Sequence, residues 1–252
     1  MSERPSFAAP FVSRDGRSSW RPARFATVIV EELAHQIIGG ALAVGDVLPT
    51  EPVLCEQFGF SRTVIREAVK LLEERGLVRV EQGRGTTVQP RDVWNLLDPV
   101  VIRIALVYDH DTSLLDGLVT VRRVLEGEMA VAAATRLTDA ELATLAENIK
   151  GMEASYDDYE RFRAFDLAFH AIVMKASGNE VGLTIVRTIH RHGELTPLLS
   201  SGSSRGLLER TVDDHRAIYQ ALEARDGGRA GNLISAHIAS AWAERKQNPP
   251  QA

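Results

Sequence analysis

The sequence predicts a mainly α-helical protein in which a small α+β region comes first and an all-helical bundle follows. Two observations lead to this fold class. Apolar residues recur at helical spacing through most of the 252 residues. Strand-like composition is confined to two short pieces, "LVRVEQ" and "GTTVQP", which flank one Gly-Arg-Gly. With 44% hydrophobic and 25% charged residues, a chain of this length can form a small domain and a larger one, and we expect two domains.

Charge is distributed unevenly along the chain. The net charge is −5, which by itself argues against a nucleic-acid partner. Residues 1–90 hold 11 Lys and Arg against 11 Asp and Glu, so the whole deficit, 18 against 23, lies in residues 91–252. The N-terminal part is therefore the more cationic part of an acidic protein.

The sequence predicts neither a signal peptide nor a transmembrane segment. The N-terminus has no apolar core of the signal-peptide type, and the apolar stretch "PVVIRIALVY" is short and interrupted by Arg103. The single cysteine, Cys55, has no partner for an internal disulfide, and we interpret it as a helix-packing residue. We therefore expect a cytosolic, cytoplasmic protein with no membrane partner.

The N-terminal elements follow from apolar spacing and from glycines. Residues 1–22 are rich in Ser, Pro and Arg without apolar periodicity, which predicts a disordered arm. "RFATVIVEELAHQIIGG" predicts a first helix that ends at its two glycines. The following "ALAVGDVLP" predicts a short strand or an extended link.

Two more helices and a hairpin complete this part. Thr50 is placed to cap a second helix that ends at Gly59, and Ser61 to cap a third that ends at Gly76. The two strand-like pieces then form a hairpin around Gly83-Arg84-Gly85. Helix, short helix, turn, helix and hairpin is the order of a winged helix-turn-helix, which we assign to residues 23–91.

Hydrogen-bond donors cluster where such a domain meets DNA. They occupy the first turns of the third helix and the hairpin tip: Ser61, Arg62, Thr63, Arg66, Gly83, Arg84 and Gly85. A helix N-terminus favours phosphate, and a tip of small residues can approach a DNA backbone or minor groove closely. A merely solvated charged face does not predict this clustering, so we favour double-stranded DNA as a partner.

The remainder, residues 92–252, predicts an all-helical bundle. No convincing strand pattern interrupts the helical periodicity. The predicted helices lie near 96–108, 113–136, 138–154, 157–177, 179–199, 206–225 and 227–245.

Four residues of this bundle predict a metal site. Asp166 and His170 are four residues apart and share one helix face, while His215 and His237 lie within the apolar stripes of two further helices. Burying three imidazoles and a carboxylate without partners is costly, whereas one divalent ion satisfies all four. Zinc is the preferred metal, with nickel or manganese as alternatives. The competing interpretation is that these are ordinary hydrogen-bonded core residues. The other histidines have no such support: His35, His110, His190 and His192.

Arg122 is the remaining candidate. It flanks the apolar stripe of "LLDGLVTVRRVLEGEMAVAAA", which we read as Leu114, Leu118, Val121, Leu125 and Met129. Its spacing allows it to reach the interior, and equally allows a surface pair with Glu126 or Glu128.

Two segments resemble one known family. "LPTE…FGFSRTVIREAVKLLEERGLV…GRGTTV" resembles the N-terminal domain of the GntR family of bacterial transcription regulators over residues 24–90. The family usually has an arginine where Pro52 stands, so one DNA contact of its relatives is missing here. "FDLAFH…ASGN…DDHRAI…H" resembles the FCD ligand-binding domain of the FadR subfamily.

The resemblance implies more than the residues alone. In that subfamily the matching Asp and three His hold a metal beside a cavity for a small carboxylate, and the arginine of "R-R-x-L-E" points inward. This implies an effector-binding role for Arg122. "WNLLDPVVIR" resembles members that respond to sugar acids.

Together these observations predict a regulator and not an enzyme. We expect a homodimeric repressor that binds a pseudo-palindromic operator and senses a small carboxylate effector at a metal. The alternative is a helical-bundle metalloenzyme with a His3Asp site, but no general base or nucleophile is evident near the ligands. Nonspecific architectural DNA binding predicts a strongly basic chain, and this one is acidic.

Overall fold

A computed structural model describes residues 22–193 and 204–247. The chain divides into two compact units, one ending at Tyr108 and the other beginning at Asp109. The arm predicted at residues 1–22 lies outside the described residues except for Pro22, which is the first residue of the first helix.

The first unit is a winged helix-turn-helix. Its helices are α1 (Pro22–Ile38), α2 (Glu51–Phe58), α3 (Arg62–Glu74) and α4 (Pro99–Val107). Strands β1 (Val78–Glu81) and β2 (Gly85–Val88) pair antiparallel, with Val78 opposite Val88 and Glu81 opposite Gly85. The link predicted before α2 contributes a single bridge, between Val47 and Thr87.

The core of this unit explains why the three helices form. Apolar residues at helical spacing bury one face of α1 and one of α3, including Ile29, Leu33, Ile65 and Leu72. Gly59 ends α2 in the left-handed conformation with φ of 71°, which a residue with a side chain rarely adopts.

The predicted helix starts are correct, but their chemistry is not as expected. Thr50 and Ser61 both stand at N-cap positions, yet neither side chain accepts a capping hydrogen bond. The extended backbone at each residue starts the helix without help from the hydroxyl group.

The structure divides the chain later than the boundary expected between residues 91 and 92. Helix α4 is capped by Asp98, which accepts from the backbone N–H groups of Val100 and Val101. Val101 and Ile104 join the apolar core of the first unit, and Arg103 contacts Glu31 of α1 at 2.8 Å. Residues 92–108, which the sequence assigns to the second domain, therefore pack with the first unit.

The second unit consists of helices in the described residues. They are α5 (Ser113–Ala134), α6 (Asp139–Glu153), α7 (Tyr159–Ala176), α8 (Glu180–Gly193), α9 (Arg205–Glu223) and α10 (Gly227–Gln247). Each overlaps a predicted helix, and residues 194–199 of the helix predicted at 179–199 lie outside the described residues.

Helix α5 is central in this bundle, since it packs against α7, α8, α9 and α10. Two glycines let α5 and α10 approach closely. A Cβ added at Gly231 would lie 2.8 Å from the carbonyl oxygen of Gly127, and one added at Gly127 would lie 2.6 Å from Oγ of Ser235. Within residues 22–193 and 204–247, no helix combines the length and apolar character needed to cross a membrane.

Candidate functional site

The four predicted metal ligands lie together inside the second unit. Helix α7 carries Asp166 and His170, α9 carries His215 and α10 carries His237. Each offers one ligand atom, and these atoms all lie within 4.8 Å of one another. The three imidazoles are buried. Residues far apart in sequence thus form one compact donor set of three nitrogens and one oxygen.

Each of the three imidazoles is oriented by an oxygen atom behind it. The Nδ1 contacts are His170 with Glu126 Oε2 at 2.7 Å, His215 with the Thr211 carbonyl at 2.7 Å and His237 with Asp214 Oδ2 at 3.0 Å. Carbonyl and ionised carboxylate oxygens only accept, so Nδ1 carries the hydrogen in each ring. When the ring is neutral, its Nε2 is an electron-pair donor, which is the arrangement common behind metal-binding histidines.

The cluster contains two acceptors that face each other. Oδ1 of Asp166 and Nε2 of His215 are 3.2 Å apart, and both are buried without a hydrogen-bond partner. With the hydrogen on Nδ1 of His215, two lone pairs meet across this gap, which is unfavourable in a buried site. A cation between them, either a proton or a metal ion, removes the conflict. The residues present therefore fit a divalent ion.

Burial and neighbouring charges set the pKa values in the cluster. Burial by itself lowers the pKa of His170, but Glu126 and Asp166 outweigh it and hold that pKa above its usual value, so a metal ion would displace a proton from this ring. Burial lowers the pKa of His237 to about 4, so this ring is neutral at pH 7. Burial by itself raises the pKa of the Asp166 carboxyl, but His215, His170 and His237 outweigh it and hold that pKa below its usual range. A neutral imidazole and an ionised carboxylate are the forms that coordinate metals.

Glu126 is a further candidate site residue, which the sequence analysis considered only as a surface partner of Arg122. Its buried carboxylate contacts Nδ1 of His170 at 2.7 Å, Nε2 of His190 at 3.2 Å and Nε of Arg122 at 2.8 Å. Burial raises the pKa of Glu126, but the charges of Arg122 and His170 lower it by more, so it lies well below its usual range. An ionised Glu126 thus joins a predicted metal ligand to the predicted effector arginine.

The apolar stripe predicted for α5 explains why Glu126 was missed. Val121, which the prediction places inside, is 41% exposed, and the buried face instead runs through Leu118, Glu126 and Met129. Of the two interpretations of its spacing, Arg122 follows the inward one. It pairs with Glu126, but the pair is buried beside the cluster and not on the surface.

His190 also lies in the candidate site, although the sequence analysis assigned it no functional role. It lies on α8 after Leu183 and Val186 at helical spacing, and that periodicity was the available signal. Burial lowers the pKa of His190 to about 4. The side chain of His192 lies outside the described part of the chain.

A cavity adjoins the cluster. Its lining includes Arg122, Asp166, His170, His190 and His237, and it continues along the bundle to Arg163 and Arg245. About 100 Å³ of this cavity is open to water-sized molecules. Since roughly 10–15 Å³ of such space holds one water, the cavity has room for a small organic molecule.

The predicted DNA-binding residues are exposed in the first unit. Ser61, Arg62, Thr63 and Arg66 lie at the start of α3 and face solvent. The side chain of Arg84 is 81% exposed at the hairpin tip. Gly83 and Gly85 beside it have φ of 79° and 91°, values that favour glycine.

One contact of this surface was not predicted. Nε of Arg66 donates to both carboxylate oxygens of Glu51 at 2.9 Å. Glu51 is the first residue of α2, so the contact joins the two helices of the helix-turn-helix.

A winged helix-turn-helix with an exposed, arginine-bearing third helix, followed on the same chain by a helical bundle, is the architecture of a DNA-binding transcription regulator. Two family models match the chain in the same order. Residues 25–88 match bacterial regulatory proteins of the gntR family, and residues 117–240 match the FCD domain. The chain belongs to the GntR family, in the FadR subfamily that carries an FCD domain, and it is a regulator and not an enzyme.

Curated relatives agree with this assignment. The chain is 31% identical over 219 residues to the galactonate operon transcriptional repressor of Escherichia coli strain K12, covering 87% of this chain and 96% of that protein. It is 30% identical over 210 residues to the regulator LutR of Bacillus subtilis strain 168, covering 80% and 92%.

A solved structure supports the fold. Lar, which controls the expression of the agr system of Listeria monocytogenes, aligns with a TM-score of 0.56 at 17% identity, covering 92% of this chain and all of that one.

Proposed function

We propose that this protein is a metabolite-responsive repressor that binds operator DNA as a homodimer and senses a small organic acid at a divalent metal. The observation that carries the proposal is the donor cluster of Asp166, His170, His215 and His237 beside an arginine-lined cavity. A cluster that only stabilised the fold would not need a cavity next to it. Repression is the activity named for the galactonate operon relative.

The chain's own residues would hold the metal and the effector in separate ways. Asp166, His170, His215 and His237 would supply four ligands, with zinc the preferred ion and nickel or manganese as alternatives. A bound divalent ion would supply open coordination positions for a carboxylate and a hydroxyl group. Nε of Arg122 is held by Glu126, so the terminal nitrogens of Arg122 remain to grip the effector carboxylate.

The class of effector follows from the relatives and from the charge of the cavity. The curated relatives include regulators of the galactonate operon and of the Uxu operon. An arginine beside a metal suits an acid that has hydroxyl groups next to its carboxylate. We infer that the effector is a sugar acid or a similar small hydroxy acid.

Release from DNA requires that the acid distinguish two states of the dimer. An effector shifts an equilibrium only through its different affinities for the two states. The acid must therefore bind the DNA-released state more tightly, by roughly the 1 to 3 kcal/mol that is typical of coupled sites.

The experiment measures how tightly the protein holds a fragment of its own promoter at fixed salt. Addition of D-galactonate to the zinc-loaded protein is expected to weaken binding, and chelation of the metal should abolish the response. Arg122→Ala should keep metal and DNA binding and lose most of the response. Arg123→Ala, which changes the exposed neighbour, is the matched control.

Different outcomes of this experiment test the metal dependence and the acid effector separately. An equal response with and without metal would contradict a metal-dependent sensor. No response of the zinc-loaded protein to any hydroxy acid in a panel of two to six carbons would contradict an acid effector.

A further inference from the structure

His190 presents an unused hydrogen-bond acceptor beside the donor cluster. Its Nε2 contacts Oε1 of Glu126 at 3.2 Å. Glu126 is ionised and can only accept, so Nε2 carries the hydrogen of this contact. Burial and the charge of Arg122 lower the pKa of His190 to about 4, so the ring is neutral at pH 7 and holds a single hydrogen. The other nitrogen, Nδ1, is therefore a lone-pair acceptor.

Nδ1 of His190 is open to a ligand. Within the described part of the chain no group is hydrogen-bonded to this atom, yet it is not one of the buried polar atoms that lack a partner, so it is accessible. The side chain of His190 is 13% exposed and lines the cavity. Glu126 does not line the cavity, so Nε2 faces the wall and Nδ1 remains for a molecule inside the cavity.

Side-chain contacts place this acceptor close to Arg122 and to the donor cluster. Nε of Arg122 donates to Oε1 of Glu126 at 2.8 Å, and Nε2 of His190 donates to the same oxygen at 3.2 Å. The two nitrogens are therefore no more than about 6 Å apart. The rings of His190 and His170 meet edge to face with their centroids 6.1 Å apart. One small molecule can thus contact Arg122, the donor cluster and His190 together.

Arg122 and His190 differ in the ligand groups that they favour. The guanidinium of Arg122 only donates, which suits a carboxylate. Nδ1 of His190 only accepts, so a carboxylate or ketone oxygen placed against it would leave two lone pairs facing each other. A hydroxyl group supplies the hydrogen that Nδ1 lacks. A carboxylate with a hydroxyl group on the neighbouring carbon therefore matches both residues.

We propose that Nδ1 of His190 accepts a hydrogen bond from the hydroxyl group next to the effector carboxylate, while Arg122 binds that carboxylate. This inference rests on the proposed function and adds to it the residue that recognises the hydroxyl group. Glu126 contributes by holding the hydrogen of His190 on Nε2. The protein should then respond to a 2-hydroxy acid and not to an acid that lacks a hydroxyl group at that carbon.

Titration calorimetry on the zinc-loaded, full-length protein tests this with two pairs of acids. Each pair is a 2-hydroxy acid and its 2-fluoro analogue: D-galactonate with 2-deoxy-2-fluoro-D-galactonate, and L-lactate with (S)-2-fluoropropionate. Fluorine is close to a hydroxyl group in size but cannot donate a hydrogen bond. The fluoro analogue of a hydroxy acid that binds the parent protein is expected to bind about ten- to a hundredfold more weakly, because it leaves Nδ1 unpaired.

Variants of His190 connect that preference to Nδ1. His190→Gln keeps an amide nitrogen that can donate to Glu126 but has no acceptor at the place of Nδ1, and His190→Leu has neither group. In both variants the ratio of affinities for the hydroxy and fluoro acids should be about tenfold smaller than in the parent. A disturbance of Arg122 or of the metal weakens both acids of a pair alike and leaves the ratio unchanged. His110→Gln, which changes an exposed histidine, is the matched control. Metal content and thermal unfolding of each variant show that it is folded and loaded.

Three results would overturn the inference. Equal affinity of the parent for both acids of a pair would show that the hydroxyl hydrogen is not recognised, while the proposed function would stand. The same affinity ratio in the parent, His190→Gln and His190→Leu would show that another group recognises the hydroxyl, and again the proposed function would stand. If neither hydroxy acid binds the zinc-loaded parent protein, the inference fails together with the effector function on which it rests.

Discussion

Glu126 connects the two halves of the candidate site through a single side chain. One carboxylate oxygen orients His170, and the other contacts both His190 and Arg122. It touches neither the ion nor the effector in our account. Its role is to fix which nitrogen of His170 carries the hydrogen and where the guanidinium of Arg122 points.

Replacement of Glu126 by glutamine should therefore weaken metal binding. The amide keeps the shape but not the charge. If its oxygen accepts from Nδ1 of His170, its NH2 group faces the N–H of Arg122, so one donor always loses its acceptor. We expect about a 10- to 100-fold loss of zinc affinity, measured by competition with a chromophoric chelator. Glu128→Gln, an exposed change on the same helix, should have no such effect. Unchanged zinc affinity in Glu126→Gln would show that Glu126 does not contribute to metal binding.

His190 makes the stability of the metal-free protein depend on pH. Its pKa in the folded state is lowered to about 4, whereas an unfolded histidine has a pKa of about 6.5. Between these values the unfolded chain binds a proton that the folded chain excludes. The free energy of unfolding therefore falls as the pH falls from about 6.5 to about 4.

His190→Gln should make that dependence shallower, by roughly 1 to 3 kcal/mol across the window. Urea unfolding in the presence of EDTA, at a series of pH values, measures the slope. His110→Gln changes an exposed histidine and serves as the control. An identical slope in parent and His190→Gln would show that this ring is not kept neutral by burial.

Among the elements, α3 and the hairpin present the predicted DNA-binding groups. The start of α3 exposes Arg62 and Arg66, and Glu51 of α2 holds Arg66 by two hydrogen bonds. Because Arg66 is largely exposed and Glu51 is partly exposed, this pair contributes little to stability. Its consequence is geometric, since it restricts where the Arg66 side chain can reach.

Arg62→Ala and Arg66→Ala should each weaken binding to the operator by about 1 to 3 kcal/mol if their side chains reach base edges. Arg84→Ala should weaken binding at the wing and lower the dependence on salt. Fluorescence anisotropy with a promoter fragment at several salt concentrations measures both quantities. Arg229→Ala, an exposed arginine of the second unit, is the control. If all three variants bind as tightly as the parent, the winged domain does not contact DNA through these residues.

The helices could be predicted from sequence because their signals are local. Apolar spacing and the glycine at position 59 place α2 and α3 within a residue or two of their observed ends. Contacts between helices leave no such signal. Glu126, His170 and His190 lie on three different helices, and periodicity along one helix does not show what faces it.

The four predicted metal ligands, which the structure brings together, were the exception. An Asp and a His four residues apart, and polar residues inside apolar stripes, are anomalies that a sequence can display. The sequence could not show that α4 packs with the first unit, because the apolar residues Val101 and Ile104 could be buried in either domain.

At the scale of the whole molecule, we expect a homodimer. One winged domain reads too few base pairs for specific binding, so two chains should bind a pseudo-palindromic site. Helix α5 exposes Val121, Val124 and Val131, each more than 40% accessible and spaced to lie along one face. Such a stripe is suited to contact with a second chain.

Light scattering coupled to size-exclusion chromatography tests this expectation. The parent should have twice the mass of one 27.7 kDa chain, and Val124→Glu should shift the protein toward monomer. Thr144→Glu, which adds the same charge to an exposed position of α6, should not. A parent protein that is monomeric both free and on DNA would contradict the dimer.

The proposed function depends on a divalent ion that the cluster of three histidines and one aspartate binds and that the effector needs. The most direct measurement is elemental analysis of the purified parent and of His215→Ala, after reloading with zinc and removal of the excess. We expect about one divalent ion per chain in the parent, and far less in His215→Ala together with loss of the acid response. Full occupancy and a normal response in His215→Ala would contradict it, and the four residues would then be hydrogen-bonded core residues.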